Sequence, residues 1–264
     1  MANTPDTSPE RKEAAAGSIA DGDVVGYLHS VETGAAADGP GVRFVFFTSG
    51  CQFRCLYCHN PDTWKLHRGR KVTVDEALAE LKPLAGFFKF AGGVTISGGE
   101  PLMQPEFVGA LFRKVKELGL HTALDTQGFL HHDTDDSFYD AVDLVMLDIK
   151  HSDPVKYKEL TAQELQPTLD FANRMVRLGK EIWIRYVLVP GWTDDVDDVE
   201  RLVDFVETLG KAVTRVDVLP FHQLGAHKWE EVGMEYALKD TPTPTPELVD
   251  RVKKQFADRG FLVQ

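Results

Sequence analysis

Every cysteine of this chain, Cys51, Cys55 and Cys58, falls in one short run at a C-x3-C-x2-C spacing. Thiols placed so closely and nowhere else are metal ligands. A cubane iron–sulfur cluster takes four thiolates, so three would leave one iron open to a further ligand. A tetrahedral zinc would need His59 as its fourth ligand, and adjacent residues such as Cys58 and His59 rarely reach one ion together. Cys55-Leu56-Tyr57-Cys58-His59 also matches the C-x-x-C-H haem-attachment pattern. That pattern requires export, the first ten residues carry no apolar signal region, and Cys51 would have no role. Inert buried thiols do not suit a segment that also carries Gln52, Arg54 and Asn60.

Other polar residues with chemical capacity close apolar runs. In Gly98-Gly99-Glu100 two glycines let bare backbone approach a ligand, although a plain turn has the same composition. Met146, Asp148 and Lys150 alternate and share one face; Asp148 and Lys150 suit either a structural ion pair or the mouth of a site. Arg185 stands on the Trp183 and Val187 face of an apolar run, so pointing inward it needs a carboxylate or an anionic ligand. Asp125-Thr126 and His222 close two further runs. A lone histidine is more often surface or satisfied core than a ligand, Tyr57 suits a core aromatic as well as a ligand-facing one, and His227 reads as structural.

The elements that position these residues alternate. Residues 1–22 offer almost nothing to bury and read as a disordered leader, with one domain over 23–264. Residues 26–30 form a short opening strand, Asp38-Gly39-Pro40-Gly41 a turn, and 42–48 the first full strand, so the cysteines occupy a strand-to-helix loop. Thr73 and Glu76 form a capping box before a helix. Strands at 93–97, 121–125, 144–149, 181–189 and 215–219 then alternate with helices at 105–118, around 135–142, on either side of Pro167, at 194–209 and at 245–258. This is the pattern of a parallel sheet with crossover helices, in about six units. In such folds working residues sit at the C-terminal ends of strands, where the residues above fall.

The cysteine run resembles the signature of radical S-adenosylmethionine enzymes. Its surroundings are similar to one family of glycyl radical enzyme activases, those of pyruvate formate-lyase: Asp38-Gly-Pro-Gly41, Cys55-Leu-Tyr-Cys-His-Asn-Pro-Asp-Thr-Trp64, Leu124-Asp-Thr126, Val145-Met-Leu-Asp148, Trp183-Ile-Arg-Tyr186 and Val189-Pro-Gly-Trp192. The resemblance implies a partial, open (β/α)6 barrel of the α/β class. It implies a [4Fe-4S] cluster on Cys51, Cys55 and Cys58 with one iron lacking a cysteine ligand, and S-adenosylmethionine bound there. It assigns the methionine amino group to Gly98, Gly99 and Glu100, its carboxylate to Lys150, the ribose side to Asp148 and His222, the adenine to Tyr57, and an anionic part of the ligand to Arg185. It places a monovalent cation at Asp125, Thr126, Met146 and Asp148. It further implies that reductive cleavage of the sulfonium yields a 5′-deoxyadenosyl radical, which abstracts hydrogen from a glycine of pyruvate formate-lyase, with flavodoxin or ferredoxin as electron donor. Gln52-Phe53, Pro101, Gln127 and the leader depart from the family pattern. Activation of a diol or glycerol dehydratase and a structural zinc module are the alternatives.

Composition agrees. With 264 residues, 43% hydrophobic and 27% charged, the chain has the make-up of a soluble globular protein. The apolar runs are strand-sized, too short for a membrane span, and a net charge of −12 disfavours binding to nucleic-acid phosphates. An odd number of thiols without an export signal points to the cytoplasm. No cysteines remain for a second cluster. The Asp38 turn, with two glycines beside an acceptor, is expected to line the path of the partner's glycine loop, though an ordinary Asx-type turn is as consistent with it.

Overall fold

The computed structural model describes residues 19–264. Its strands are β1 (Val25–Ala35), β2 (Val42–Thr48), β3 (Arg70–Thr73), β4 (Gly92–Gly98), β5 (Thr122–Thr126), β6 (Leu144–Asp148), β7 (Glu181–Leu188) and β8 (Val213–Pro220). They form one open sheet in the order β3-β1-β2-β4-β5-β6-β7-β8. From β2 through β8 the neighbours are parallel, which gives the six expected crossover strands. The opening strand is longer than expected. It runs antiparallel to β2 and carries the short antiparallel edge strand β3 on its other side.

The helices are α1 (Val74–Leu81), α2 (Ala85–Ala91), α3 (Pro105–Glu117), α4 (Pro154–Thr161), α5 (Gln166–Arg177), α6 (Val196–Thr208), α7 (His227–Glu231) and α8 (Pro246–Ala257). Side chains fix several starts: the Thr73–Glu76 capping box opens α1, and Asp153, Asp195 and Thr245 accept from the first-turn amides of α4, α6 and α8. Each such cap contributes about 1 kcal/mol. Pro167 lies in the first turn of α5, where its missing N–H has no intrahelical partner to lose.

One face of the sheet packs Phe46, Ile96, Leu124, Val145 and Ile184 against helix residues such as Phe112, Met175 and Val203. Full burial of each contributes about 1.5–3 kcal/mol. Ala123, Leu144, Met146 and Trp183 form a separate apolar cluster, and the alternation of side chains along β5, β6 and β7 puts it on the opposite, inward face.

Three expectations change. The helix expected around 135–142 is a 3-10 turn, Asp136–Ala141, capped by Asp135; the chain must already be descending into β6, leaving no length for an α-helix. Short β3, α2 and α7 had no clear periodicity. Of the proposed leader 1–22, residues 1–18 lie outside the described residues, while Asp21 pairs with Arg113 and Gly22 is buried, so the folded part begins before residue 23.

Candidate active site

The cysteine loop leaves β2 and is pinned along its length by backbone bonds. Gly50 N–H donates to Thr63 O (2.7 Å), Cys51 N–H to Trp64 O (3.2 Å), Arg54 N–H to Thr161 O (2.8 Å) and Leu56 N–H to Leu160 O (3.0 Å). The Arg54 guanidinium turns back onto Cys51 O and Phe53 O and lies over the Trp64 ring. Trp229 of α7 donates its indole N–H to Cys58 O at 2.9 Å. A loop this fully bonded holds its thiols in fixed directions.

Gly98 and Gly99 serve this seating. A Cβ on Gly98 would meet Thr48 N and O at 2.2 and 2.3 Å, and one on Gly99 would meet Gly50 O at 2.3 Å. The bare backbone expected to approach a ligand therefore first admits the end of β2 and the start of the cysteine loop, whose Gly50 O accepts from Glu100 N–H at 2.8 Å.

A cavity of about 510 Å3 opens at the C-terminal ends of the parallel strands, within the range of small-molecule and cofactor sites. Cys51, Cys55, Cys58 and Tyr57 line it from the cysteine loop, Gly98 and Gly99 from the end of β4, and Asp125, Asp148, Lys150 and Arg185 from β5, β6 and β7. His222 and Asp38 close it from the loops after β8 and before β2. Lys150 Nζ lies 3.0 Å from Asp148 Oδ2, and Arg185 Nη1 lies 2.9 Å from Asp125 Oδ2. Both ion pairs foreseen as a plain structural possibility exist, and both face the cavity. Burial would lower the Lys150 ammonium, but Asp148 holds it above its ordinary range. Burial pushes Asp125 up, against the opposing pull of Arg185.

Three expected site residues are not gathered. The Glu100 carboxylate is fully buried and accepts from Thr126 Oγ1 (2.6 Å), Leu102 N–H (2.9 Å) and Gln127 N–H (2.9 Å). It latches the turn after β4 to the end of β5, outside the cavity lining, with both oxygens bonded to donors of its own chain. Thr126 directs its hydroxyl to that same carboxylate, and Met146 packs in the inward apolar cluster; neither side chain reaches the cavity. Sequence reasoning missed Ser97, which donates to Asp125 Oδ2 at 2.6 Å, and Gln127, whose amide donates to Gly99 O at 3.2 Å. The inward alternation of Thr95 and Ser97 along β4 was the available signal for the first.

The donor set fits a cubane better than a single ion. A cubane takes its thiolates at separate corners, which three thiols lining one cavity from one loop can supply. His59, the fourth ligand in the zinc alternative, stacks on His222 with ring centroids 4.2 Å apart, and its Nε2 bonds His222 O at 3.0 Å. Burial pushes the Cys55 thiol up to about 12 and raises Cys51 and Cys58 as well; bound cationic iron inverts that preference. The cavity also holds buried polar atoms with no protein partner: Tyr57 Oη, Asp125 Oδ1, Arg185 Nε and Gln127 Oε1. Such atoms retain capacity for a ligand.

The Radical SAM superfamily model matches residues 45–206. The Pyruvate formate-lyase-activating enzyme of Staphylococcus aureus (strain USA300) is 46% identical over 232 residues, covering 85% of this chain and 92% of that protein. Among solved structures, a domain of the pyruvate-formate lyase-activating enzyme from Bacteroides vulgatus superposes with a TM-score of 0.54 at 22% identity, covering 66% of this chain and 98% of that one. Streptococcus suis SuiB bound to its precursor peptide SuiA superposes with a TM-score of 0.63 at 17% identity, covering 83% of this chain and 48% of that one. The two superpositions speak to the fold alone. The identity across most of its length, together with the superfamily match over the cysteine loop and the strands that follow, shows that this chain belongs to the pyruvate formate-lyase-activating enzyme family of radical S-adenosylmethionine enzymes.

Proposed function

We propose that this protein is the radical activase of pyruvate formate-lyase. The observation that carries this is the convergence, in one cavity, of three thiols on a rigid loop and two charged pairs. The family brings a [4Fe-4S] cluster and S-adenosylmethionine, and together these supply a one-electron reductive cleavage whose adenosyl radical can take a hydrogen atom from a glycine. Cys51, Cys55 and Cys58 hold three irons and leave the fourth without a cysteine.

The chain's own residues bind and orient. Lys150 offers its ammonium to the methionine carboxylate, and Gly98 and Gly99 offer backbone to the amine. Asp148 and His222 take the ribose, with Tyr57 beside the adenine. The Arg185 Nε left without a partner is available to an anionic ligand group while Nη1 stays on Asp125. Asp125 Oδ1 and Asp148 present hard oxygens suited to a monovalent cation beside the cofactor, with Thr126 and Met146 limited to their backbone carbonyls. The apolar cluster of Ala123, Leu144, Met146 and Trp183 closes the inward face below the charged pairs and keeps water from the reacting region.

The reaction runs in the cytoplasm with flavodoxin or ferredoxin as donor. Among the described residues no helix is long and apolar enough to cross a membrane. The direct test is anaerobic reconstitution with iron and sulfide, followed by reduction in the presence of S-adenosylmethionine and pyruvate formate-lyase. The expected products are methionine, 5′-deoxyadenosine and a glycyl radical signal in electron paramagnetic resonance. A colourless, zinc-loaded protein under these conditions would refute the function.

A further inference from the structure

Activation consumes one electron that this chain has no second centre to store, since its only thiols are those of the cysteine loop. The electron arrives from another protein, and the surface through which it enters must lie close to that loop. The segment just after the loop builds such a surface. Cys51 N–H is bonded to Trp64 O, and Thr63 and Trp64 line the cavity together with the thiols. The next residues turn outward: Lys65, His67, Arg68, Arg70 and Lys71 are all exposed, on a chain whose formal net charge is −12. Arg70 pairs with Glu80. Among the described residues Lys65, Arg68 and Lys71 have no carboxylate within 4.0 Å.

Edge protection explains part of this charge, because β3 is the free edge of the sheet and basic residues on an edge deter pairing. It does not explain Lys65 and Arg68, which precede the strand in and beside the turn Leu66–Arg68, where there is no ladder to protect. A basic strip on an otherwise acidic protein steers an acidic partner to one place and repels it elsewhere.

We propose that the strip at residues 65–71 is the docking surface for an acidic one-electron carrier protein, seated against the Thr63–Trp64 side of the cysteine loop. The carrier is oxidised by one electron and the cluster is reduced by one; no atom or proton need move. This rests on the activase function above and names the partner side of the same site.

The test uses the reconstituted full chain and the combined variant Lys65→Glu, Arg68→Glu, Lys71→Glu. Two reductants are compared, dithionite and an acidic flavodoxin, with 5′-deoxyadenosine and glycyl radical both measured. With dithionite the variant is expected to match the wild type within about twofold. With flavodoxin its kcat/KM should fall about tenfold or more, and the salt dependence seen in the wild type should flatten. The neutral version, Lys65→Gln, Arg68→Gln, Lys71→Gln, should show a smaller loss in the same direction. An unchanged flavodoxin rate overturns the docking surface while leaving the activase function standing. Equal losses with both reductants also overturn it, as does a dithionite loss confined to the glycyl radical, which would assign the strip to the substrate protein. A wild-type protein that forms no 5′-deoxyadenosine with dithionite refutes the activase function itself and the docking with it.

Discussion

Glu100, fully buried, and Asp125, mostly buried, are carboxylates at the ends of adjacent strands, and they differ in what is left over. Glu100 has both oxygens occupied by three donors of its own chain. Asp125 has one oxygen taken by Ser97 and Arg185 and the other, Oδ1, without any partner. A buried polar group left half-satisfied costs free energy, so it persists only where something other than the fold completes it. The satisfied carboxylate is architecture, and the unsatisfied one faces the cavity.

The comparison is sharpest at the cysteines, for which the chain offers no substitute ligand. Cys55→Ala in the reconstituted protein is expected to abolish 5′-deoxyadenosine formation, measured by chromatography after dithionite reduction. Retained cleavage would remove Cys55 from the cluster.

For Glu100 the prediction concerns stability. Burial pushes its carboxyl up to about 7 from an ordinary 4.5, against the three donors that favour the anion. Between those values the folded state binds more proton than the unfolded one, so this group's contribution falls as pH rises from about 4.5 to about 7, by up to about 3 kcal/mol. Glu100→Gln should be less stable at acidic pH, because its amide meets a donor, yet should lose this segment of the pH dependence. Chemical denaturation at several pH values reads the difference. A variant with the wild-type slope would mean that Glu100 does not titrate in that range.

These two cases also mark how far the sequence could be read. The parallel strands were legible because strands covered on both faces are near-continuous apolar runs, and the cysteine spacing marked a metal site that the family resemblance narrowed to a cluster. The placement of Lys150 and of Arg185 followed from alternation along β6 and its end and along β7 respectively. Glu100 was ambiguous because Gly-Gly-Glu is compatible with both a ligand cradle and a latch, and the latch needs a meeting with Thr126 and Gln127 that lie far along the sequence. The basic edge strand β3 was illegible because Arg70-Lys71-Val72-Thr73 has too few residues for a period and only one buried side chain. The six residues of the 3-10 turn after Asp135 likewise carry buried Phe138 and Tyr139 without enough length to separate it from a helix.

Lys150 tests the cavity side of the comparison at a pair, where both partners are satisfied by each other. Charge-assisted contacts contribute about 1.5–3 kcal/mol, so Lys150→Met should weaken S-adenosylmethionine binding about ten- to a hundredfold while leaving iron content unchanged. Isothermal titration and iron analysis check both. Unchanged affinity with a lowered melting temperature would return Lys150 and Asp148 to a purely structural pair.

The smallest expected effect is at Asp38, where architecture and site meet in one residue. Its backbone is architecture: Asp38 O accepts from Thr95 Oγ1, which accepts in turn from the buried Arg43 Nε at 3.0 Å. A Cβ on Gly41 would meet Ala91 O at 2.1 Å, so that glycine makes room for the chain's own backbone and not for a partner's. The side chain is different. Asp38 lines the cavity, and burial raises its carboxyl while Arg185 draws it down. With the turn fixed from behind, that carboxylate can accept from the amides of an extended glycine loop entering the mouth. Asp38→Ala should therefore lower the glycyl radical yield on pyruvate formate-lyase, or on a short peptide of its glycine loop, by about two- to tenfold, with S-adenosylmethionine affinity unchanged. Asp38→Asn keeps an acceptor and should fall between. A radical yield in Asp38→Ala equal to wild type by electron paramagnetic resonance would leave the turn with its backbone role alone.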